Sequence, residues 1–194
     1  EELGLPVSKE IPMLSIVSRL VDQKGLDLLA YILEEMLQMD LQLVVLGTGE
    51  KRYEDMFRYF EYRFPDKLKA LMVFDENLSH KIYGSSEMLL MPSQFEPCGL
   101  SQMIAMRYGT IPIVRETGGL KDSVTSYNKY TGEGNGFSFS NYNAHELLFA
   151  VENAVRMYYE DKESWKGLVK NALNTDFSWK KSAEKYLELY KKLI

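Results

Sequence analysis

The segment 91–102, MPSQFEPCGLSQ, carries residue types that suit the binding of a phosphorylated ligand. An apolar run precedes it at 88–91 and apolar residues follow it at helical spacing, so the pattern predicts a strand, a tight loop and a helix. The backbone N–H groups of Gly99, Leu100 and Ser101 would then begin the helix without intrahelical partners. With the positive end of the helix dipole behind them, these donors predict an anion site suited to phosphate.

One carboxylate, Glu96, lies at the rim of this predicted anion site. A carboxylate would repel a bare phosphate, so Glu96 needs another partner, such as sugar hydroxyls beyond the phosphate. From spacing alone, an ordinary loop carboxylate or a partner of the helix dipole is an equally good interpretation.

Two cations, Arg19 and Lys24, follow the first predicted strand at 13–18. They would bracket a diphosphate, Arg19 through paired hydrogen bonds and Lys24 as a point charge. They would also stabilise the negative charge that grows on a departing diphosphate. From spacing alone, the commoner interpretation is a solvated pair of loop charges that contributes little.

Three motifs together resemble the C-terminal half of bacterial glycogen synthases and plant starch synthases. They are Ser18-Arg19-Leu20 with Gln23-Lys24-Gly25, Phe95-Glu96-Pro97-Cys98-Gly99-Leu100, and Thr117-Gly118-Gly119-Leu120 with Asp122. The motifs follow the family's order and approximate spacing, and the likeness runs from about Leu3 to the last helix. Such enzymes are retaining glycosyltransferases of the GT-B type, with two facing Rossmann-like domains.

The resemblance implies that the whole enzyme transfers glucose from ADP-glucose to the non-reducing end of an α-1,4-glucan and releases ADP. Residues 1–194 would form a single donor-binding domain, and an N-terminal domain of the same enzyme would carry acceptor-side groups. No cofactor or metal is implied, because Arg19, Lys24 and a helix N-terminus would neutralise the diphosphate. We therefore expect this chain alone to bind ADP weakly and to show no turnover.

The resemblance also assigns roles to residues of the central segment. Glu96 and the backbone of Cys98 and Gly99 would hold hydroxyls of the donor glucose. Ser101 replaces a family threonine that hydrogen-bonds near the phosphate, and it keeps the hydroxyl. Cys98, the only cysteine, is interpreted as a small buried packing residue rather than a nucleophile. The candidate catalytic residues are Glu96, Arg19 and Lys24.

A second glycine turn, Thr117-Gly118-Gly119, follows the fifth predicted strand. It would reach the same crevice, where a glucose or phosphate oxygen could accept hydrogen bonds from its N–H groups. The alternative is a plain turn before a helix.

Phe74 and Gly47 are candidates for contact with the nucleotide. Phe74, predicted to end a strand at 71–74, would stack on a nucleobase, at a position where the family commonly has tyrosine. Packing in the core is the alternative. Gly47 would allow close approach of a nucleotide, but the glycines around it do not form a dinucleotide fingerprint, because position 52 is arginine.

Alternating strands and helices must bring these motifs together. Apolar runs predict strands at 13–18, 41–46, 71–74, 88–91, 110–114 and, at an edge, 137–139. Amphipathic segments between them predict helices, so the fold class is α/β, a doubly wound, mostly parallel sheet with helices on both faces. Loops after parallel strands meet at one edge of such a sheet, where ligands bind. The last helix, about 178–193, would pack toward the N-terminal domain or, equally, on its own sheet.

Composition narrows the classes of partner. The net charge of −5 disfavours nucleic acid, and a single cysteine excludes an internal disulfide. No apolar run approaches 18 residues and no basic segment opens the chain, so we expect no membrane span or signal peptide. A cytoplasmic location is expected, or a plastid if the chain comes from a plant.

Two other functions remain compatible with the sequence. The chain could be a non-catalytic nucleotide-binding module, or a GT-B glycosyltransferase with another acceptor. The sequence also leaves the choice between ADP-glucose and UDP-glucose open.

Overall fold

A computed structural model describes residues 2–193 of the chain. The strands are β1 (Met13–Val17), β2 (Gln42–Leu46), β3 (Leu68–Leu71), β4 (Met88–Met91), β5 (Ile111–Arg115) and β6 (Phe137–Phe139). The helices are α1 (Leu26–Gln38), α2 (Lys51–Arg63), α3 (Glu76–Ser85), α4 (Ser101–Tyr108), α5 (Gly118–Ser123), α6 (Ala144–Glu160), α7 (Lys162–Asn174) and α8 (Trp179–Lys191). A short 3-10 turn, Asp22–Lys24, follows β1.

All six strands pair in parallel, in the order β3-β2-β1-β4-β5-β6. The chain therefore winds outward from β1 to β3, returns to place β4 beside β1, and winds outward again. This topology confirms the predicted α/β fold. The point where the winding reverses, between β1 and β4, is where such sheets bind ligands.

Helices cover both faces of the sheet, as predicted. All five residues of β2 and all four of β4 are buried. Because successive side chains of a strand point to opposite faces, burial of every residue requires cover on each side. On this framework α1 packs against α2 and α6, and α4 packs against α3 and α7.

The third strand lies earlier than predicted, at Leu68–Leu71 rather than 71–74. Its pairing with β2 ends at Leu46 opposite Leu71, so no neighbour remains to pair with the apolar residues that follow. Lys69 obscured the strand in the sequence, and it lies on the outermost strand, where its ammonium pairs with Glu61 at 2.6 Å. Phe74 consequently lies three residues beyond the strand that it was predicted to end.

The last helix, α8, has no buried residue. Trp179 is 90% exposed, and Tyr186 and Tyr190 are more than half exposed. The alternative that α8 buries its apolar face on its own sheet is therefore wrong for the described chain. Within residues 2–193, no helix is both long and apolar enough to cross a membrane.

Candidate functional site

A pocket of about 140 Å³ opens between the ends of β1 and β4, at the reversal point of the sheet. Arg19 and Lys24 line it from the segment after β1, and Ser93 and Ser101 line it from the segment after β4. The structure thus brings together cations and hydroxyls that lie far apart in the sequence. A larger groove of about 930 Å³ runs along α6 and β6, but none of the predicted site residues lines it.

Lys24 and Glu96 contact each other directly. The Lys24 ammonium donates to a carboxylate oxygen of Glu96, and their side chains are only 17% and 11% exposed. The Ser93 hydroxyl lies 3.4 Å from the same carboxylate oxygen. The sequence predicts separate partners for these two residues, a phosphate for Lys24 and a sugar for Glu96. Removal of either partner would leave the other charge largely buried and unpaired, which is costly.

The turn that carries Lys24 is held by charged and phenolic groups. Asp22, which begins the turn, accepts a hydrogen bond from the Tyr53 hydroxyl and pairs with Arg52. The Tyr53 hydrogen bond and, after it, the Arg52 guanidinium lower the pKa of Asp22 below its usual value. Farther along, the Tyr142 hydroxyl donates to Asp27 at the start of α1.

The Thr117–Gly119 turn packs on the backbone of the Glu96 segment. A Cβ atom added at Gly118 would lie 2.2 Å from the carbonyl oxygen of Glu96, and one at Gly119 would lie 2.0 Å from that of Cys98. The N–H of Gly119 donates to the Glu96 carbonyl at 3.1 Å. The prediction that this N–H is available to a ligand is therefore wrong, because the backbone of the neighbouring loop already uses it.

The first turn of α4 supplies free donors, two residues later than predicted. The helix begins at Ser101, with Leu100 as its N-cap and no side chain capping it. Its first helical N–H groups are therefore those of residues 101–103 rather than 99–101. Gly99 instead provides a left-handed bend, with a φ of +72°. Ser101 keeps its predicted place, since it lines the pocket together with the cations.

The structure decides the surroundings of Cys98, Phe74 and Gly47. Cys98 is exposed, so its interpretation as a buried packing residue is wrong. Phe74 is 87% exposed, so the alternative that it packs in the core is also wrong. At Gly47 an added Cβ would lie 1.8 Å from the carbonyl oxygen of Ser18, so the close approach that this glycine allows is to the loop after β1.

Three polar side chains to which the sequence assigned no role hold the backbone of the Glu96 segment. They are Gln23, Gln102 and Arg115, and all three donate to carbonyl oxygens there. A cation directly at the end of β5 was the available signal for Arg115. In the part of the chain that the structure describes, no cluster of three or more His, Cys, Asp or Glu residues is arranged to hold a metal ion.

Comparison with known sequences identifies a protein family that matches this chain. Residues 5–175 match the family model described as Glycosyl transferases group 1. The chain is 60% identical over 192 residues to a glycogen synthase of Clostridium botulinum and 59% identical over 189 residues to one of Clostridioides difficile. The alignments cover 99% and 97% of this chain but only 40% and 39% of those relatives. The chain thus spans about 40% of their length.

Solved structures agree with the sequence comparison. The catalytic domain of starch synthase IV from Arabidopsis thaliana, bound to ADP and acarbose, matches with a TM-score of 0.87 and 40% identity. That match covers 98% of this chain and 40% of the other. A sucrose-phosphate synthase from Thermosynechococcus elongatus matches at a TM-score of 0.71 and 23% identity, over 99% of this chain and 47% of the other, a likeness that shows the fold alone.

Proposed function

The chain belongs to the group 1 glycosyl transferases, and from that premise we propose that it is the donor-binding domain of a glycogen or starch synthase. The whole enzyme transfers glucose from ADP-glucose to the non-reducing end of an α-1,4-glucan, with retention of configuration. The high identity to bacterial glycogen synthases supports this activity. The neighbouring starch synthase, which was solved with ADP and acarbose, supports a nucleotide and a saccharide as ligands.

The single observation that carries the proposal is the convergence of Arg19, Lys24 and Ser101 on one pocket at the reversal point of the sheet. Arg19 and Lys24 neutralise the donor diphosphate, and the N–H groups at the start of α4 add donors with the helix dipole behind them. The same groups stabilise the charge that develops on the departing ADP. This arrangement supplies the positive charge without a metal ion.

Glu96 fixes the donor glucose in this proposal. Its carboxylate is held by Lys24, which orients it beside the diphosphate-binding groups. Its remaining acceptor sites are suited to hydroxyl groups of the sugar. The backbone of Cys98 and Gly99 contributes to the same sugar site, and the exposed ring of Phe74 provides the stacking surface for the adenine.

The exposed apolar face of α8 packs toward an N-terminal domain of the same enzyme. Trp179, Tyr186 and Tyr190 lie on this helix, and all three are mostly exposed in the described chain. A continuous apolar face of this kind is typical of an interface. The acceptor-side groups would lie on that other domain, so residues 1–194 alone bind the donor without turnover. We expect the enzyme to act in the cytoplasm.

Calorimetric titration of this chain with ADP-glucose, ADP, UDP-glucose and UDP tests the proposal. We expect weak binding of the adenine ligands, and Lys24→Gln should weaken it at least about tenfold because a cation is lost from the diphosphate site. Glutamine keeps a hydrogen-bond donor for Glu96, so this variant is expected to fold. Lys51→Gln is the matched control, because its side chain is 86% exposed and lies on α2.

Two outcomes would contradict the donor site. The first is no binding of any of the four ligands to the unaltered chain, which would favour an idle module. The second is unchanged affinity in Lys24→Gln. Rapid glucan synthesis by the 194-residue chain alone would overturn the assignment of acceptor groups to another domain.

A further inference from the structure

The backbone between β4 and α4 is held at almost every carbonyl oxygen. In the segment 93–99, the carbonyl oxygens of residues 93, 94, 95, 96, 98 and 99 each accept a hydrogen bond from a neighbouring element. Loops at ligand sites are more often mobile. A loop in which the acceptors are this fully engaged is fixed in one conformation before any ligand arrives.

Arg115 holds the first part of this segment. Its guanidinium donates to the carbonyl oxygens of Ser93 at 3.0 Å and Gln94 at 2.5 Å, and to that of Ser140 at 3.3 Å. The guanidinium also lies over the Tyr142 ring, 5.6 Å from its centroid. One planar fork therefore ties the end of β5, the segment after β4 and the segment after β6 together, a geometry that a lysine ammonium cannot reproduce.

Gln102 holds the last part. Its side chain is completely buried, and its amide nitrogen donates to the carbonyl oxygens of Cys98 at 3.2 Å and Gly99 at 2.8 Å. Because carbonyl oxygens only accept, the nitrogen and not the oxygen of the amide must face them. The same nitrogen lies 2.9 Å from the Ser123 hydroxyl, so Gln102 also joins α4 to α5.

We propose that Arg115 and Gln102 are positioning residues that clamp the two ends of segment 93–99 and thereby set the geometry of donor binding. Unengaged carbonyl oxygens beside the pocket would repel a diphosphate, whereas engaged ones leave the N–H groups and Glu96 as the groups that meet the ligand. Neither residue lines the pocket, so each acts through the backbone. The inference rests on the proposed function, because it assumes a diphosphate donor in that pocket.

The experiment measures two quantities in the 194-residue chain, for Arg115→Ala, Arg115→Lys and Gln102→Met. Amide hydrogen exchange by NMR, without ligand, follows two N–H groups: that of Gln94, which donates to the Gln23 carbonyl, and that of Gly119, which donates to the Glu96 carbonyl. Calorimetry gives the affinity for ADP. Arg58→Ala is the control, because Arg58 lies on α2 with an exposed side chain.

We expect exchange at Gln94 to accelerate at least about tenfold in Arg115→Ala, and exchange at Gly119 to accelerate similarly in Gln102→Met, because local opening follows loss of local contacts. The affinity for ADP should fall about tenfold in both variants. The affinity of Arg115→Lys should lie between those of the unaltered chain and Arg115→Ala. Exchange at Val44, which is buried in β2 between β1 and β3, should stay unchanged, which separates a local effect from general destabilisation. The control should match the unaltered chain throughout.

The outcomes distinguish this inference from the proposed function. Unchanged exchange at Gln94 and Gly119 overturns the clamp, and faster exchange with unchanged ADP affinity overturns its role in binding. If the unaltered chain does not bind ADP, the proposed function fails and the role in donor binding fails with it. In that case the exchange rates still decide whether the clamp exists.

Discussion

The loop after β4 and the loop after β3 leave the same edge of one parallel sheet, yet their residues are held very differently. The segment 93–99 has its carbonyl oxygens engaged by side chains and backbone, and Glu96 within it is 9% exposed. The loop after β3 holds Phe74 with its ring 87% exposed. Its main anchor is Asp75, which caps α3 by accepting from the N–H of Leu78 at 2.9 Å.

The difference matches what each end of a nucleotide sugar requires. Recognition of phosphate charges and sugar hydroxyls requires hydrogen-bonding groups that point in fixed directions. Groups that are already ordered in the free protein lose no further conformational entropy on binding. Stacking on a base depends on area and tolerates variation in position. We therefore expect changes near Glu96 to affect folding and binding together, and changes at Phe74 to affect binding alone.

The largest change in the free energy of unfolding should come from Gly118→Ala, which disturbs the packing against segment 93–99. The new Cβ would lie 2.2 Å from the Glu96 carbonyl oxygen, at a residue whose φ is +44°. Backbone strain and overpacking should together lower the free energy of unfolding by about 3 kcal/mol. Urea denaturation measures this loss, and ADP titration should show weaker binding in the same variant.

Gly132→Ala is the matched control for that variant. Gly132 also has a positive φ, +71°, but nothing lies within 4 Å of its added Cβ. It should lose only about 1 kcal/mol, the cost of the left-handed conformation alone. Equal losses in the two variants would mean that the contact with the Glu96 segment has no energetic weight, and the contrast between the two loops would fail.

The sequence predicted the sheet well because its strands are buried and apolar. A strand such as that at 41–46 is apolar on both faces and can bury both only between two layers of helices. The loops after parallel strands then meet at one edge of the sheet. The convergence of Arg19, Lys24 and Ser101 followed from that topology alone. Strand β3 was misplaced because Lys69 interrupts its apolar pattern and the apolar residues beyond it have no strand to pair with.

The contacts inside the site were harder to predict from the sequence. Lys24 and Glu96 are 72 positions apart, and their pairing depends on how two loops pack, not on any local pattern. Arg115 and Gln102 bind backbone carbonyl oxygens. Every residue has such an oxygen, so no sequence pattern indicates which ones these side chains will bind. Family resemblance assigned roles to ligand-facing residues and gave no signal for the residues that hold the loop behind them.

A smaller effect is expected from Phe74→Ala, which tests the open loop. The ring is exposed, so the free energy of unfolding should change by less than about 0.5 kcal/mol. Loss of base stacking should weaken ADP binding by about 1 kcal/mol, or roughly fivefold, as measured by calorimetry. Phe74→Tyr should keep the affinity, because it retains the aromatic face.

The control for Phe74 is Phe149→Ala, which removes an exposed ring from the groove along α6. It should leave ADP affinity unchanged. If Phe74→Ala destabilised the chain while its ADP affinity stayed the same, the loop after β3 would be a structural element, and its proposed contact with the base would be wrong.

The smallest effect concerns pH and distinguishes two ways of holding a loop. Arg115 donates to neutral carbonyl oxygens, which do not titrate, whereas the turn carrying Lys24 depends on the ionised carboxylate of Asp22. Hydrogen bonds from Tyr53 and then from Arg52 lower the pKa of Asp22 in the folded chain. The stabilisation is therefore present above the unfolded pKa of about 3.8 and is lost as the pH falls through the lower folded value.

Urea denaturation of the unaltered chain and of Asp22→Asn, at pH 6 and at pH 3, measures the contribution of ionised Asp22 to the free energy of unfolding. The unaltered chain should be the more stable at pH 6. The difference should shrink at pH 3, because that pH lies below the unfolded pKa of about 3.8, so Asp22 takes up a proton on unfolding and the asparagine of the variant does not. Asp66→Asn, at an exposed position, should show no such convergence. A difference that stays constant with pH would mean that Asp22 acts through packing, and the turn after β1 would then be held, like segment 93–99, by contacts that do not titrate.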